Sequence, residues 1–131
     1  MASFQLMLFG LIAVVVFLYA RRLLRLRSIP QYSPAEAADR MKSGPRLLLL
    51  DVRTAQERSG QHIKGSMHIP LQELRGRVGE LQKHKDKEIV CYCRSGNRSL
   101  SAAALLRKRG FTAANMKGGM VEWNSSGIKI S

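Results

Sequence analysis

The sequence predicts an α/β domain, a parallel sheet covered by helices on both faces, carried behind a single transmembrane helix. Three observations lead there. The first twenty residues carry no charged side chain. Short apolar runs then alternate with capped helical stretches from Ser33 onward, the pattern of a parallel sheet with crossover helices. Finally, both cysteines, Cys91 and Cys93, stand where one of those apolar runs gives way to a glycine-containing loop.

Phe4 to Ala20, FQLMLFGLIAVVVFLYA, has Gln5 as its only clearly polar side chain. Extended back to Ala2 it would make a helix roughly 28 Å long, close to the hydrocarbon thickness of a bilayer. A cleaved signal peptide fits less well, because no basic residue precedes the stretch and Leu18-Tyr19-Ala20-Arg21 is a poor cleavage site. Arg21, Arg22, Arg25 and Arg27 follow directly. The positive-inside tendency puts this flank, and the domain after it, on the cytoplasmic side of a single-pass membrane protein. The arginines and the leucines between them also suit a headgroup layer. Residues 1–27 are therefore read as anchor and basic flank, and 28–131 as the domain.

Composition narrows the partners. The net charge is +13, from 22 basic and 9 acidic residues. Setting the four flank arginines aside leaves 18 against 9, with no long basic run or aromatic-interleaved stripe of the kind a nucleic-acid surface shows. Small anions and lipid headgroups are the expected partners, and nucleic acid is not. Two cysteines with His62, His68 and His84 scattered upstream make no familiar zinc motif. A reducing cytoplasm argues against a structural disulfide. Two extended residues at this spacing also have Cα atoms roughly 6.5–7 Å apart, at the limit of such a bond.

The elements follow in order. Ser33-Pro34-Ala35-Glu36 supplies an N-cap, a proline at the first helical position and a capping-box glutamate, opening a helix to about Lys42 that Ser43-Gly44-Pro45 ends. Leu47 to Leu50 reads as a strand buried on both faces. Thr54 and Glu57 form a second capping box. Ser66 to Ile69 is a brief strand stopped by Pro70, with helical stretches from Leu71 to Gln82. Glu88 to Tyr92 is a strand, Asn97 to Arg109 a helix closed by Gly110, and Ala113 to Met116 a last strand before Gly118-Gly119 and a turn carrying Trp123.

Cys93 falls just past a strand end and just before a helix, the place where parallel sheets bind ligands. Backbone N–H groups of Arg94 to Ser99 would face a common cup, and the helix N-terminus adds positive potential. A thiol there has its anion stabilised, which favours a nucleophile. Arg94 and Arg98 add charge for an anionic substrate, and Gly96 permits the tight turn. The alternative is a buried strand-end cysteine with solvated arginines behind it. Cys91, inside the strand, reads as core.

These motifs resemble the rhodanese-like superfamily. Asp51-Val52-Arg53, Glu57 and Gly60-Gln61-His62-Ile63-Lys64-Gly65-Ser66-Met67-His68-Ile69-Pro70 are similar to its D-V-R…E…G-H-I-x-G-A-x-x-I-P signature, with Gln61 inserted and Ser66 where alanine is common. Tyr92 to Ser99 resembles its Y-C-x-x-G-x-R-S loop, and Gly110-Phe111, Lys117-Gly118-Gly119 and Trp123 match its closing pattern. The resemblance spans roughly Tyr32 to Ile128. It implies a five-stranded parallel sheet and a sulfurtransferase in which Cys93 carries sulfane sulfur as a persulfide. Arg94, Ser95, Gly96, Asn97, Arg98 and Ser99 would cradle it, and Asp51 and Arg53 would brace nearby loops or meet the substrate. His62 and His68 are expected as hydrogen-bonded strand-edge residues.

A related phosphatase class has five residues between cysteine and arginine, whereas Cys93 and Arg98 enclose four. The shorter loop suits sulfur better than phosphate. The expected reaction takes sulfur from a small anionic donor such as thiosulfate and hands it to cyanide, a thiol or an acceptor protein, with no metal or organic cofactor. A persulfide-relay or docking module without turnover is the alternative.

Overall fold

A computed structural model describes residues 1–44 and 46–128. Pro45 of the expected helix stop, and the last three residues of the 28–131 domain, lie outside the described residues. The order of elements is α1 (Ala2–Arg27), β1 (Gln31–Tyr32), α2 (Pro34–Lys42), β2 (Leu47–Asp51), α3 (Ala55–Gly60), β3 (Met67–His68), α4 (Leu71–Arg77), a 3₁₀ helix (Val78–His84), β4 (Glu88–Tyr92), α5 (Asn97–Lys108), β5 (Ala113–Met116) and α6 (Gly119–Ser125).

All five strands are parallel, in the order β1-β5-β4-β2-β3. Neighbouring β4 and β2 send their following connections in opposite directions, toward β5 and β3 respectively. The crevice between their carboxyl ends is therefore the topological switch point of the sheet. Strand β1 was not foreseen, because two residues carry no readable alternation; pairing of Gln31 with Asn115 and Tyr32 with Met116 defines it.

The caps act as the sequence suggests, with one difference. Thr54 and Glu57 close a full capping box at α3. At α2, Ser33 accepts from the Glu36 N–H at 3.1 Å, but the Glu36 carboxylate takes the Ser33 hydroxyl rather than its backbone N–H. The stretch after Leu71 splits into an α-helix and a 3₁₀ helix, and Trp123 sits on a true helix rather than a turn.

Alternation along β4 builds a core on each side of the sheet. Ile89, Cys91 and Cys93 face Leu74, Val78, Leu81, Ala102, Ala103 and Leu106 under α4, the 3₁₀ helix and α5. Val90 and Tyr92 face Ala37, Ala38, Met120 and Trp123 under α2 and α6. These two packed layers make the three-layer α/β/α architecture.

Helix α1 continues through the arginine cluster to Arg27 without a break. It is long and apolar enough to cross a membrane, and none of its residues is buried by the rest of the chain. Only near its end does it meet the domain, where Leu26 packs against the core.

Candidate active site

The site grows from the ends of β4 and β2. Strand β4 ends at Tyr92, so Cys93 is the first residue beyond the ladder, and the chain turns through Arg94-Ser95-Gly96 into α5. The turn needs φ of +101° at Gly96, and a Cβ there would lie 3.1 Å from the Gly118 nitrogen, so glycine serves both conformation and clearance. Gly119 closes the floor: a Cβ on it would collide with the Cys93 carbonyl and the Arg94 backbone. Two backbone bonds, Met120 N–H to the Cys93 oxygen (2.9 Å) and Val121 N–H to the Arg94 oxygen (3.1 Å), dock α6 onto the loop.

The Cys93 sulfur is the focus of three donors. Gly96 N–H (3.1 Å), Ser99 N–H (3.4 Å) and the Ser99 hydroxyl (3.3 Å) all reach Sγ. Cys93 is only 1% exposed, and burial alone would push its thiol pKa up. The hydrogen bonds from Ser99 and Gly96 outweigh that and hold it below the ordinary thiol value. Cys91, fully buried two residues earlier, has no such donors, and burial pushes its thiol well above the usual range. Both cysteines are free.

Not every loop residue foreseen for the anion points at the sulfur. Arg98 instead makes a two-pronged pair with Glu57 at 2.7 and 2.8 Å, tying the start of α5 to α3. The Arg98 guanidinium, and then the Thr54 capping bonds, hold the Glu57 carboxyl down to about 2 despite partial desolvation. Arg94 is exposed at the rim and, among the described residues, takes no part in an ion pair. Val121 stands beside it, 54% exposed.

Asp51 and Arg53 lie at the end of β2, on the other side of the switch point, and both are buried. Arg53 holds both Asp51 oxygens (3.0 and 2.9 Å) and donates to the Gln61 carbonyl at 2.6 Å. Arg58 adds a contact to Asp51 at 3.2 Å, and the Tyr92 hydroxyl another at 3.1 Å. Burial raises the Asp51 carboxyl, but the Arg53 bonds outweigh it and leave the group ionised. This network fastens the 53–66 segment beneath the site. His68 donates from Nε2 to the Arg53 carbonyl at 2.7 Å, and exposed His62 lies 3.3 Å from the Arg58 carbonyl.

One residue escaped the sequence reading. Asn115 on β5 is buried, accepts from the Ser99 hydroxyl at 2.6 Å, and donates to the Gly96 carbonyl and to Gln31, both at 3.1 Å. An asparagine inside an otherwise apolar strand, AANM, was the available signal, because a buried amide must find partners.

Comparison with known proteins agrees with this architecture. A family model for the Rhodanese-like domain matches residues 33–126. A sulfurtransferase of Allochromatium vinosum is 35% identical over 85 residues, 64% of this chain and 78% of that protein. YrkF of Bacillus subtilis, a candidate sulfur carrier by its name, is 39% identical over 97 residues, 73% of this chain. The chain spans about half the length of YrkF, with 51% covered. The crystal structure of a rhodanese-related protein from Thermoplasma volcanium superposes with a TM-score of 0.70 at 28% identity, covering 78% of this chain and 97% of that one. The parallel sheet with its switch-point cysteine loop, the matched span and these relatives together place the chain in the rhodanese-like family of sulfurtransferases and sulfur carriers.

Proposed function

We propose that this protein is a membrane-anchored sulfurtransferase that moves sulfane sulfur through a persulfide on Cys93. The observation that carries the reading is the convergence of two backbone N–H groups and one hydroxyl on the Cys93 sulfur at the switch point of the sheet. In the first step the Cys93 thiolate attacks the outer sulfur of thiosulfate. The donor's S–S bond breaks with its electron pair leaving on sulfite, and Cys93 is left as a persulfide anion. In the second step a nucleophile such as cyanide or a thiolate attacks the outer sulfur, and the electron pair returns to Cys93 as thiolate. The same donors stabilise sulfur anion at the start and at the end of the cycle.

Roles follow from position. Cys93 is the nucleophile; the backbone from Arg94 to Ser99 forms the cup; Ser99 is its side-chain donor. Exposed Arg94 attracts the anionic donor, while Arg98 positions α5 through Glu57. Asp51 and Arg53 brace the segment below. Residues 1–27 anchor the chain and 28–131 form the working domain, on the cytoplasmic side by the arginines that follow Ala20. The likeness to a candidate sulfur carrier supports a second reading, a relay that hands its persulfide to a protein acceptor and turns over slowly with small ones.

Mass spectrometry of the full chain in detergent, after treatment with thiosulfate, tests the reading. Wild type gains the mass of one sulfur atom on the Cys93 peptide and Cys93→Ser gains none. Sulfur mapping to Cys91, or no gain from any sulfane donor, overturns it. Release of that sulfur by cyanide at many turnovers separates the enzyme from the relay. A C-terminal reporter active only outside the cytoplasm reverses the proposed topology.

A further inference from the structure

The junction between α1 and the domain contains a cleft unrelated to the cysteine cup. It measures about 580 Å³ and is lined by Arg22 and Arg25 of α1, Arg75 of α4, and Arg107 and Lys108 of α5. Five cations from three elements thus face one space. Among the described residues none of the five forms an ion pair, whereas Arg40, Arg53, Arg58, Arg77 and Arg98 all do. The negative end of the α5 dipole favours Arg107 and Lys108 there, and Arg107 is steadied by a 3.2 Å bond to the Ala113 carbonyl. That leaves most of the charge without a counterion. Leu26 and Leu105 supply an apolar side to the same cleft.

Its depth along α1 is informative. Arg22 and Arg25 follow Ala20, the end of the uncharged apolar stretch, by two and five positions, or roughly 3 and 8 Å of helix. The headgroup layer beyond the hydrocarbon is about 5–7 Å deep on each side. A chain spanning the bilayer through α1 therefore holds Arg22 within the headgroup layer and Arg25 at its outer edge, with the cleft opening beside them.

We propose that the cleft binds the phosphate of an anionic phospholipid and so clamps the domain to the bilayer along α5. The inference rests on the reading of α1 as a membrane span. Its chemistry, a phosphate held by several guanidinium groups beside an apolar wall, fits a lipid better than a free ion because the wall can take acyl or glycerol carbon.

Two measurements on the full chain separate this proposal from the anchor it depends on. Flotation with vesicles of phosphatidylcholine alone tests the span, which needs no lipid charge. Native mass spectrometry from non-ionic detergent then reads bound lipid. We expect phosphatidylglycerol to bind at least about tenfold more tightly than phosphatidylcholine. Arg75→Gln with Lys108→Gln should weaken it about 25-fold, roughly fivefold per charge removed near a lipid phosphate. Lys64→Gln with Lys83→Gln, of equal charge change and outside the cleft, should leave it unaltered. Failure to float overturns the anchor, and the clamp with it. Flotation with no preference for phosphatidylglycerol, or equal loss in both double variants, overturns the clamp alone. Inorganic phosphate displacing the lipid at comparable concentration makes this a free-anion site and also overturns the clamp.

Discussion

Ser99 offers a sharp test of how the Cys93 thiolate is stabilised. Its hydroxyl has one proton and two acceptors, Asn115 Oδ1 at 2.6 Å and Cys93 Sγ at 3.3 Å. With Cys93 protonated, the short bond to Asn115 wins on distance. Once the thiolate forms, the charge draws the proton across, because bonds to charged groups stabilise by about 1.5–3 kcal/mol against about 0.5–1.5 for neutral ones. The difference, about 1 kcal/mol, corresponds to a little under one pH unit. Removing a donor to an anion disfavours the anion, so Ser99→Ala should raise the midpoint for Cys93 ionisation by about one unit. The two backbone donors remain in place. The assay is the pH dependence of iodoacetamide alkylation, followed on the Cys93 peptide in a Cys91→Ala background. The variant also strands the Asn115 oxygen, at a stability cost of about 1–3 kcal/mol, read separately by urea denaturation. A midpoint that stays put or falls would refute the reasoning, since the proton would then belong to Asn115 in both states.

Other outcomes follow from the same geometry. Glu57→Gln breaks the two-pronged pair with Arg98. Because the folded carboxyl is held at about 2 against an ordinary 4.5, its stabilisation is present above pH 4.5 and is lost as pH falls toward 2. Wild type should therefore resist urea better than the variant at neutral pH, with the gap closing between about 4.5 and about 2; a gap independent of pH contradicts this. Gly119→Ala places a Cβ into the Cys93 carbonyl at φ of +55° and should cost more than about 2 kcal/mol in urea unfolding. A near-neutral result means the α6 start can move away from the loop. Cys91→Ala should lower stability by about 1 kcal/mol yet leave the yield of Cys93 persulfide intact, because buried Cys91 stays a neutral thiol. Loss of persulfide in that variant would assign Cys91 a chemical role.

Most of the architecture was legible because it rests on local signals. Leu47 to Leu50, the Thr54–Glu57 box and the Gly96 turn each carry their reason within a few residues. What was hidden depends on distant partners. Nothing near Arg98 says that its guanidinium belongs to a carboxylate 41 positions earlier, which removes one expected cation from the cup. Asn115 shows in the sequence only as a polar residue in an apolar strand; that its partners are Ser99 and Gly96 follows once β5 lies beside α5's first turn. Strand β1 exists through its pairing alone, since Gln31 and Tyr32 have too short a run to show a period.

Cys93 is almost fully enclosed, so the persulfide proposed for it would give the loaded and empty forms different outlines. In the proposed persulfide the second sulfur would lie about 2.05 Å from Sγ, in a loop whose Arg94 and neighbouring Val121 are exposed. An acceptor docking there would meet an added sulfur atom in the loaded form and none in the spent one. Empty Cys93 is correspondingly shielded from bulky thiols and oxidants, which reach an accessible thiolate first. Under the proposed mechanism cargo and handle would be the same atom, and the load would change the surface an acceptor meets.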